Sequence, residues 1–246
     1  MLNLSNVTAI CVDGTPEGNR NFRLVEIIKN MKTRIKFHDI FYFSHVNPKC
    51  EELCSIIPIQ KIQSLSEYSG FVILNLPNYI KSEFCMIFHD DGFPINLHLW
   101  RNEFLNFDYI GAPWGSSCSP PVFPHNYYNN EVDGGNGGFS IRSNRLMQYG
   151  KEIADKISGK ITMQEYVSNG GWIHEDGYFC YQIRPFLKKM GIKYAPYQIS
   201  KQFALETNLD DSSNNIEEVF GFHGFRHINF DEGIKMLKKP LFPRQV

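Results

Sequence analysis

The sequence has no excess of either charge. Lys and Arg number 25 against 26 Asp and Glu, a formal net charge of -1. A nucleic-acid protein normally carries a basic surplus or stripe, so this balance excludes that class as the first reading. Long apolar runs are also missing. The strongest, Phe71 to Leu74 and Phe84 to Phe88, fall far short of the ~18–20 residues of a membrane-spanning helix. The first residues, Met1-Leu2-Asn3-Leu4-Ser5, show neither a basic start nor an apolar h-region, so no secretory signal is read and a cytoplasmic location is expected. Cysteines number six, and no two of them form a C-x-x-C pair. Cys50 and Cys54 stand four apart with no second pair or nearby His to complete a zinc site. All six are expected to be reduced. No repeat, low-complexity tract, charge block or linker appears.

The apolar and aromatic content is high. Hydrophobic residues make up 42% and charged residues only 21%, which excludes a disordered chain. A chain of 246 residues buries roughly 70–75% of its unfolded surface and needs no disulfide or metal to fold. Aromatics at 14% suit a thick core and also a site that stacks flat ligands.

Periodicity predicts the elements. Val7 to Val12 reads as a buried strand ending at Asp13-Gly14. Phe22, Val25, Ile28 and Met31 recur three apart, which predicts a helix over 20–31. Ile35 to Phe43 predicts a second strand, Tyr68 to Ile80 a helix interrupted near Pro77, and Glu83 to Phe88 a third strand. Further on, Asp108 to Trp114 reads as a strand, 116–131 as a loop, and 145–157 and 178–190 as helices. Alternating strands and helices imply an α/β fold with a mostly parallel, mixed central sheet flanked by helices. Such sheets bind ligands at the carboxyl ends of their strands, where Asp13 and Asp91 fall. One domain over 1–246 is expected, with a nucleotide-binding half to about residue 92 and an acceptor or catalytic half beyond it.

Four clusters could carry chemistry, and each has a plainer reading. His89-Asp90-Asp91-Gly92 can hold a divalent cation that grips a diphosphate, or can be an Asp-Gly turn. Gly134-Gly135-Asn136-Gly137-Gly138-Phe139-Ser140 lets backbone approach a ligand closely, or forms a flexible hairpin. It has neither P-loop nor dinucleotide-binding spacing. Glu175-Asp176, behind Trp172, can supply a general base or can cap a helix. His223, between Gly221 and Gly224, can ligate an Mn²⁺-like ion beside carboxylates or can be structural.

Taken together, these segments resemble the GT-A class of nucleotide-sugar glycosyltransferases. The likeness is nearest to a poorly characterised glycosyltransferase-like domain family. Its pattern is carried here by His89-Asp90-Asp91-Gly92, Trp100, Asp108 through Trp114, Gly135 through Ser140, Glu175-Asp176 and Phe220 through Gly224. It spans roughly residues 7 to 225. One departure is visible: His89 stands where that family has Gln or Asp. The resemblance implies a nucleoside-diphosphate sugar donor, a UDP-sugar, and Mn²⁺ or Mg²⁺ held by Asp91 and His223, with His89 as a further ligand or a donor behind the ligands. It places Asp13 near the base or ribose, Asp90 towards the ribose or solvent, and Gly137, Gly138 and Asn136 along the sugar and acceptor. Trp114 and Trp172 would stack sugar faces. Glu175 or Asp176 would take the proton of an acceptor hydroxyl in an inverting reaction. The acceptor class, whether glycan, protein or small molecule, stays open.

Two alternatives accompany this reading. The His89 departure suits a nucleotide-sugar or carbohydrate-binding module of the same fold without catalysis. A two-carboxylate glycoside hydrolase using Asp91 and Glu175 leaves the nucleotide-like first half unexplained. The tail after Phe225, with Lys235, Lys238, Lys239 and Arg244, is expected to be plain surface rather than a cover over the phosphates.

Overall fold

The computed structural model describes residues 1–14, 20–114, 135–158, 174–206 and 215–241. The central strand is β2, Val7–Asp13, and all seven of its residues are buried. It alternates faces with period two: Val7, Ala9 and Cys11 join one apolar core, while Ile10 and Val12 join another on the opposite side. A strand covered on both faces must be nearly continuous in apolar residues, which is why this run stands out in the sequence.

The first half builds around it. Strand β1, Leu2–Leu4, pairs in parallel with β3, Ile35–Phe37, as a small separate sheet. Helix α1, Arg20–Arg34, buries Leu24, Ile27, Ile28 and Met31, the i, i+3, i+4, i+7 stripe of an amphipathic helix. Strands β4, Ile40–Ser44, β5, Ser55–Pro58, and β6, Phe84–Ile87, all run parallel to β2. The single strand predicted over 35–43 is therefore two strands in two sheets, separated at the exposed pair His38 and Asp39. Local β-propensity is continuous there, and only the sheet assignment breaks it.

Helix α2, Leu65–Gly70, starts earlier than periodicity predicts, where the Ser64 side chain accepts from the Glu67 N–H at 3.1 Å. It widens into a π-helical turn at Phe71–Asn75 and tightens into a 3₁₀ turn at Leu76–Asn78. Pro77 lacks the N–H that a continuing α-helix needs.

The second half reverses one strand. Strand β7, Tyr109–Gly111, and strand β8, Ser140–Ser143, complete the sheet in the order β5-β4-β2-β6-β8-β7, with β8 antiparallel to both neighbours. Strand β8 was not anticipated, because it continues a glycine-rich run. Helix α3, Asn144–Ser158, follows at once. The helix expected over 178–190 is split. A short turn α4, Glu175–Gly177, leads into a π-helical turn at Tyr178–Gln182, and α5, Arg184–Lys189, restarts with Pro185 in its first turn.

Helix α6, Tyr197–Phe203, runs into β9, Ala204–Leu205, which pairs in parallel with β10, Gly221–Phe222. Helix α7, Phe230–Leu237, is closed by a capping box between Asn229 and Glu232. Its Ile234, Met236 and Leu237 are buried, while Lys235, Lys238 and Lys239 lie on the surface. The tail is thus half core and half surface. Arg244 lies outside the described residues.

Candidate functional site

Strand β6 delivers the acidic segment to the carboxyl edge of the sheet. Past its end, His89 and Gly92 exchange backbone hydrogen bonds of 2.8 and 3.2 Å, so Asp90 and Asp91 form the tip of a tight turn. Their carboxylates part ways there. Asp90 is buried and meets Arg20 Nε at 3.0 Å and Arg23 at 3.4 Å. Asp91 faces His223 Nε2 at 3.8 Å.

His89, Asp91 and His223 each offer one ligand atom, and these atoms lie within 4.8 Å of one another. One nitrogen of each ring has a partner: His89 Nε2 lies 2.7 Å from the Tyr68 hydroxyl, and His223 Nδ1 lies 3.1 Å from Glu206 Oε1. Burial, reinforced by the facing His223, pulls His89 down to about 4, so its ring is neutral. Burial alone would lower His223 as well, but the Glu206 carboxylate outweighs it and raises that ring. Two imidazoles and a carboxylate form a mixed N/O set that suits a first-row divalent ion such as Mn²⁺ better than the oxygen-preferring Mg²⁺. Glycine backbone packs closely against the His223 ring: a Cβ at Gly138 would collide with His223 Nε2, and one at Gly92 with His223 Cδ2. The donor set itself fits a divalent cation.

The glycine-rich loop supplies the facing wall. Gly135 has φ +151, and its Cβ would meet the Ala112 carbonyl oxygen at 2.2 Å. Asn136 Oδ1 accepts from the Gly138 N–H at 2.6 Å, and Asn136 Nδ2 donates to Glu206 at 3.0 Å. The Gly137 N–H donates to Asp176 Oδ2 at 3.1 Å. Beneath the loop lies Arg142 on β8, wholly inaccessible to solvent. It donates to the Gly137 carbonyl at 3.3 Å, to Ser140 Oγ at 3.1 Å and to Glu175 Oε1 at 2.8 Å.

These contacts separate the two neighbouring acids. Burial would raise Glu175, but the Arg142 charge and hydrogen bond overcome it and hold the carboxyl below its ordinary range. Asp176 has no such partner. Burial, then the adjacent Glu175 charge, push it up to about 7. Its two oxygens accept from the Gly137 and Gly177 N–H groups.

Beside the cluster opens a cavity of about 690 Å³, lined by Gly14, Arg20, Arg23, Ser64, Tyr68, His89 and Asp90 among others. Arg23 also lies 5.3 Å from the Phe225 ring centroid and 5.4 Å from that of Phe230.

The expected residues divide as follows. The fold brings together His89, Asp91, His223, Asn136, Gly137, Gly138, Glu175 and Asp176. Asp90 is largely buried against Arg20 and Arg23 and lines the same cavity. Asp13 is fully buried, accepts from the Tyr42 hydroxyl at 3.0 Å and lies 3.7 Å from Arg20 Nε. Trp114 is partly buried against the core on the Ile10 side of the sheet. Trp172 and Gly134 lie outside the described residues.

Five participants were not singled out from the sequence: Arg20, Arg23, Tyr68, Arg142 and Glu206. A charged residue inside the apolar run Phe139-Ser140-Ile141-Arg142 was a usable signal, since buried arginines are almost always paired. Nothing local marks Glu206.

The sheet order, the single reversed strand β8 and the site at the carboxyl edge define an α/β fold of the GT-A glycosyltransferase type. Residues 54–223 match the family described as Protein of unknown function (DUF5672), and the chain belongs to that family. Two solved structures share the fold. Galactosyltransferase LgtC, in complex with donor and acceptor sugar analogs, aligns with a TM-score of 0.53 at 11% identity, over 99% of this chain and 98% of that one. Mouse xyloside xylosyltransferase 1, in its apo form, aligns with a TM-score of 0.52 at 10% identity, over 93% of this chain and 100% of that one. No curated protein matches the sequence. No described helix is long and apolar enough to cross a membrane.

Proposed function

We propose that this chain is a metal-dependent glycosyltransferase that moves a sugar from a UDP-sugar to an acceptor hydroxyl, with inversion. The observation that carries the reading is the convergence of His89, Asp91 and His223 within 4.8 Å, beside a cavity lined by Arg20 and Arg23. The His89 departure, which suited a module without catalysis, is supported instead as a third ligand replacing a carboxylate. When bound, Mn²⁺ or Mg²⁺ supplies positive charge to the departing diphosphate.

The chain's own groups do the rest. Arg20 and Arg23 face the cavity that would take the nucleotide, and both are held in place by Asp90. Asp13, buried behind Arg20, reaches a nucleotide only through that side chain. Asp176 is the base. Its affinity for a proton lies near neutrality, where a base is most effective, whereas Glu175 is tied up by Arg142. As the bond from the anomeric carbon to the diphosphate breaks, a bond from that carbon to the acceptor oxygen forms, and the hydroxyl proton passes to Asp176. Asn136, Gly137 and Gly138 line the sugar side. Glu175 in its ion pair is poorly suited to the hydrolase alternative.

The test is UDP release from a panel of UDP-sugars, with and without Mn²⁺, on wild type and Asp91→Ala. Metal-dependent release from one donor, lost in the variant, is the expected result. Calorimetric binding of a UDP-sugar without metal dependence and without release would favour the binding module. No binding of any donor would overturn the assignment.

A further inference from the structure

We infer that Glu206 is a positioning residue that sets the ring orientation and tautomer of His223, turning its Nε2 towards Asp91 and His89. The inference rests on the metal reading above. Strands β9 and β10 are two residues each, and their pairing sets Leu205 opposite Phe222. The next residue on each strand is Glu206 and His223, and the His223 N–H continues the ladder to the Leu205 carbonyl at 3.0 Å. So short a ladder adds little stability by itself. Its consequence is to bring a carboxylate alongside the imidazole.

Both side chains are only 18% exposed. Glu206 Oε1 accepts from His223 Nδ1 at 3.1 Å and from Asn136 Nδ2 at 3.0 Å. Its Oε2 is buried and has no hydrogen-bond partner among the described residues. The consequence of the Nδ1 contact is chemical. A carboxylate on Nδ1 holds the proton there and leaves the lone pair on Nε2. That Nε2 is the atom 3.8 Å from Asp91 Oδ1, and the one with which a Cβ at Gly138 would collide. Through Asn136, the same carboxylate also reaches the Gly138 N–H, so ring and loop are set by one group.

Two readouts on the full chain test this. The first is ¹⁵N-histidine NMR on metal-free protein in alkaline buffer, with His223→Gln to assign the resonance. Wild type is expected to show the Nδ1–H tautomer. Glu206→Ala should shift His223 towards the Nε2–H form, and Glu206→Gln, whose amide oxygen can still accept, should preserve Nδ1–H. The second is Mn²⁺ titration by electron paramagnetic resonance. Glu206→Ala should bind about 10–100-fold more weakly than wild type, with Glu206→Gln between them. An unchanged tautomer in Glu206→Ala overturns the inference, as does unchanged Mn²⁺ affinity. If Glu206→Ala does not fold, loss of Mn²⁺ affinity in Glu206→Gln as large as that in His223→Gln overturns it, since the retained acceptor should rescue. Absence of Mn²⁺ binding by wild type overturns the metal reading and this inference together, whereas wild-type binding with an unchanged Glu206→Ala overturns this inference alone.

Discussion

Glu175 and Asp176 are neighbours with opposite electrostatic fates, and the difference is one guanidinium. Arg142 holds Glu175 ionised in the interior, and that carboxylate charge helps to keep a proton on Asp176. Because Asp176 titrates at about 7, its proton-accepting form accumulates as pH rises. The kcat/KM for transfer should climb through that value and level off above it. Asp176→Asn should lower kcat by about 10²–10⁴-fold and flatten the profile, while an unaltered pH–rate curve would remove Asp176 from the base role. Glu175 has the opposite sign. Its folded-state value is depressed, so its contribution to stability is present above its unfolded value and is lost as pH falls through the depressed one. Arg142→Met leaves that carboxylate buried without its cation. Urea unfolding at neutral pH should show a loss of about 3–5 kcal/mol, and equal stability would mean that the pair does not hold the loop.

At the scale of elements, the run from Gly135 to Gly138 is a wall built by subtraction. Gly137 and Gly138 lie so close to the Glu175–Arg142 pair and to His223 that a Cβ at either would enter the neighbouring side chain. The two positions differ in what must yield. At Gly137 the obstacle is the buried ion pair, with Glu175 Oε1 at 2.0 Å, whereas at Gly138 it is the movable ring of His223. Gly138→Ala should therefore leave the fold intact by circular dichroism while displacing His223. Mn²⁺ affinity, read by calorimetry, should fall at least as far as in Glu206→Ala. Retained affinity would show that the ring is not part of the metal site. The π-helical turn after α2 belongs to the same scale. Tyr68 lies in the last turn of α2, just before the widening, and its hydroxyl meets His89.

For the whole molecule, two apolar cores pack on opposite faces of the sheet, while the site gathers residues from β6, the β8 loop, α4 and the β9–β10 pair. A ligand that binds the assembled site and not the unfolded chain stabilises the protein by mass action, by about 2.7 kcal/mol at 100 times its Kd. MnCl₂ should raise the thermal midpoint of wild type, and EDTA should return it to the metal-free value without unfolding the protein. Asp91→Asn and His223→Gln should show no shift. A shift of the same size in both variants would place the ion elsewhere.

Much of this was legible along the chain, because the forces involved are local in sequence. A strand buried on both faces needs an apolar run, and β2 and β6 show one. A helix against a sheet needs an apolar stripe, and α1 shows it. The chemical segments are short and contiguous, so Asp91, His223, Asp176 and the glycine loop could be singled out before their positions were known. What the sequence could not determine is where each neighbour points and what meets it. Asp90 and Asp91 are chemically identical, and only the turn at His89–Gly92 sends one to Arg20 and the other to His223. Glu175 and Asp176 are separated only by the arrival of Arg142 from β8. Glu206 acquires its partner through the pairing of two strands of two residues, too short to leave a pattern. Proximity of this kind depends on strand order and register, which are settled by packing across the molecule and by no single stretch of it.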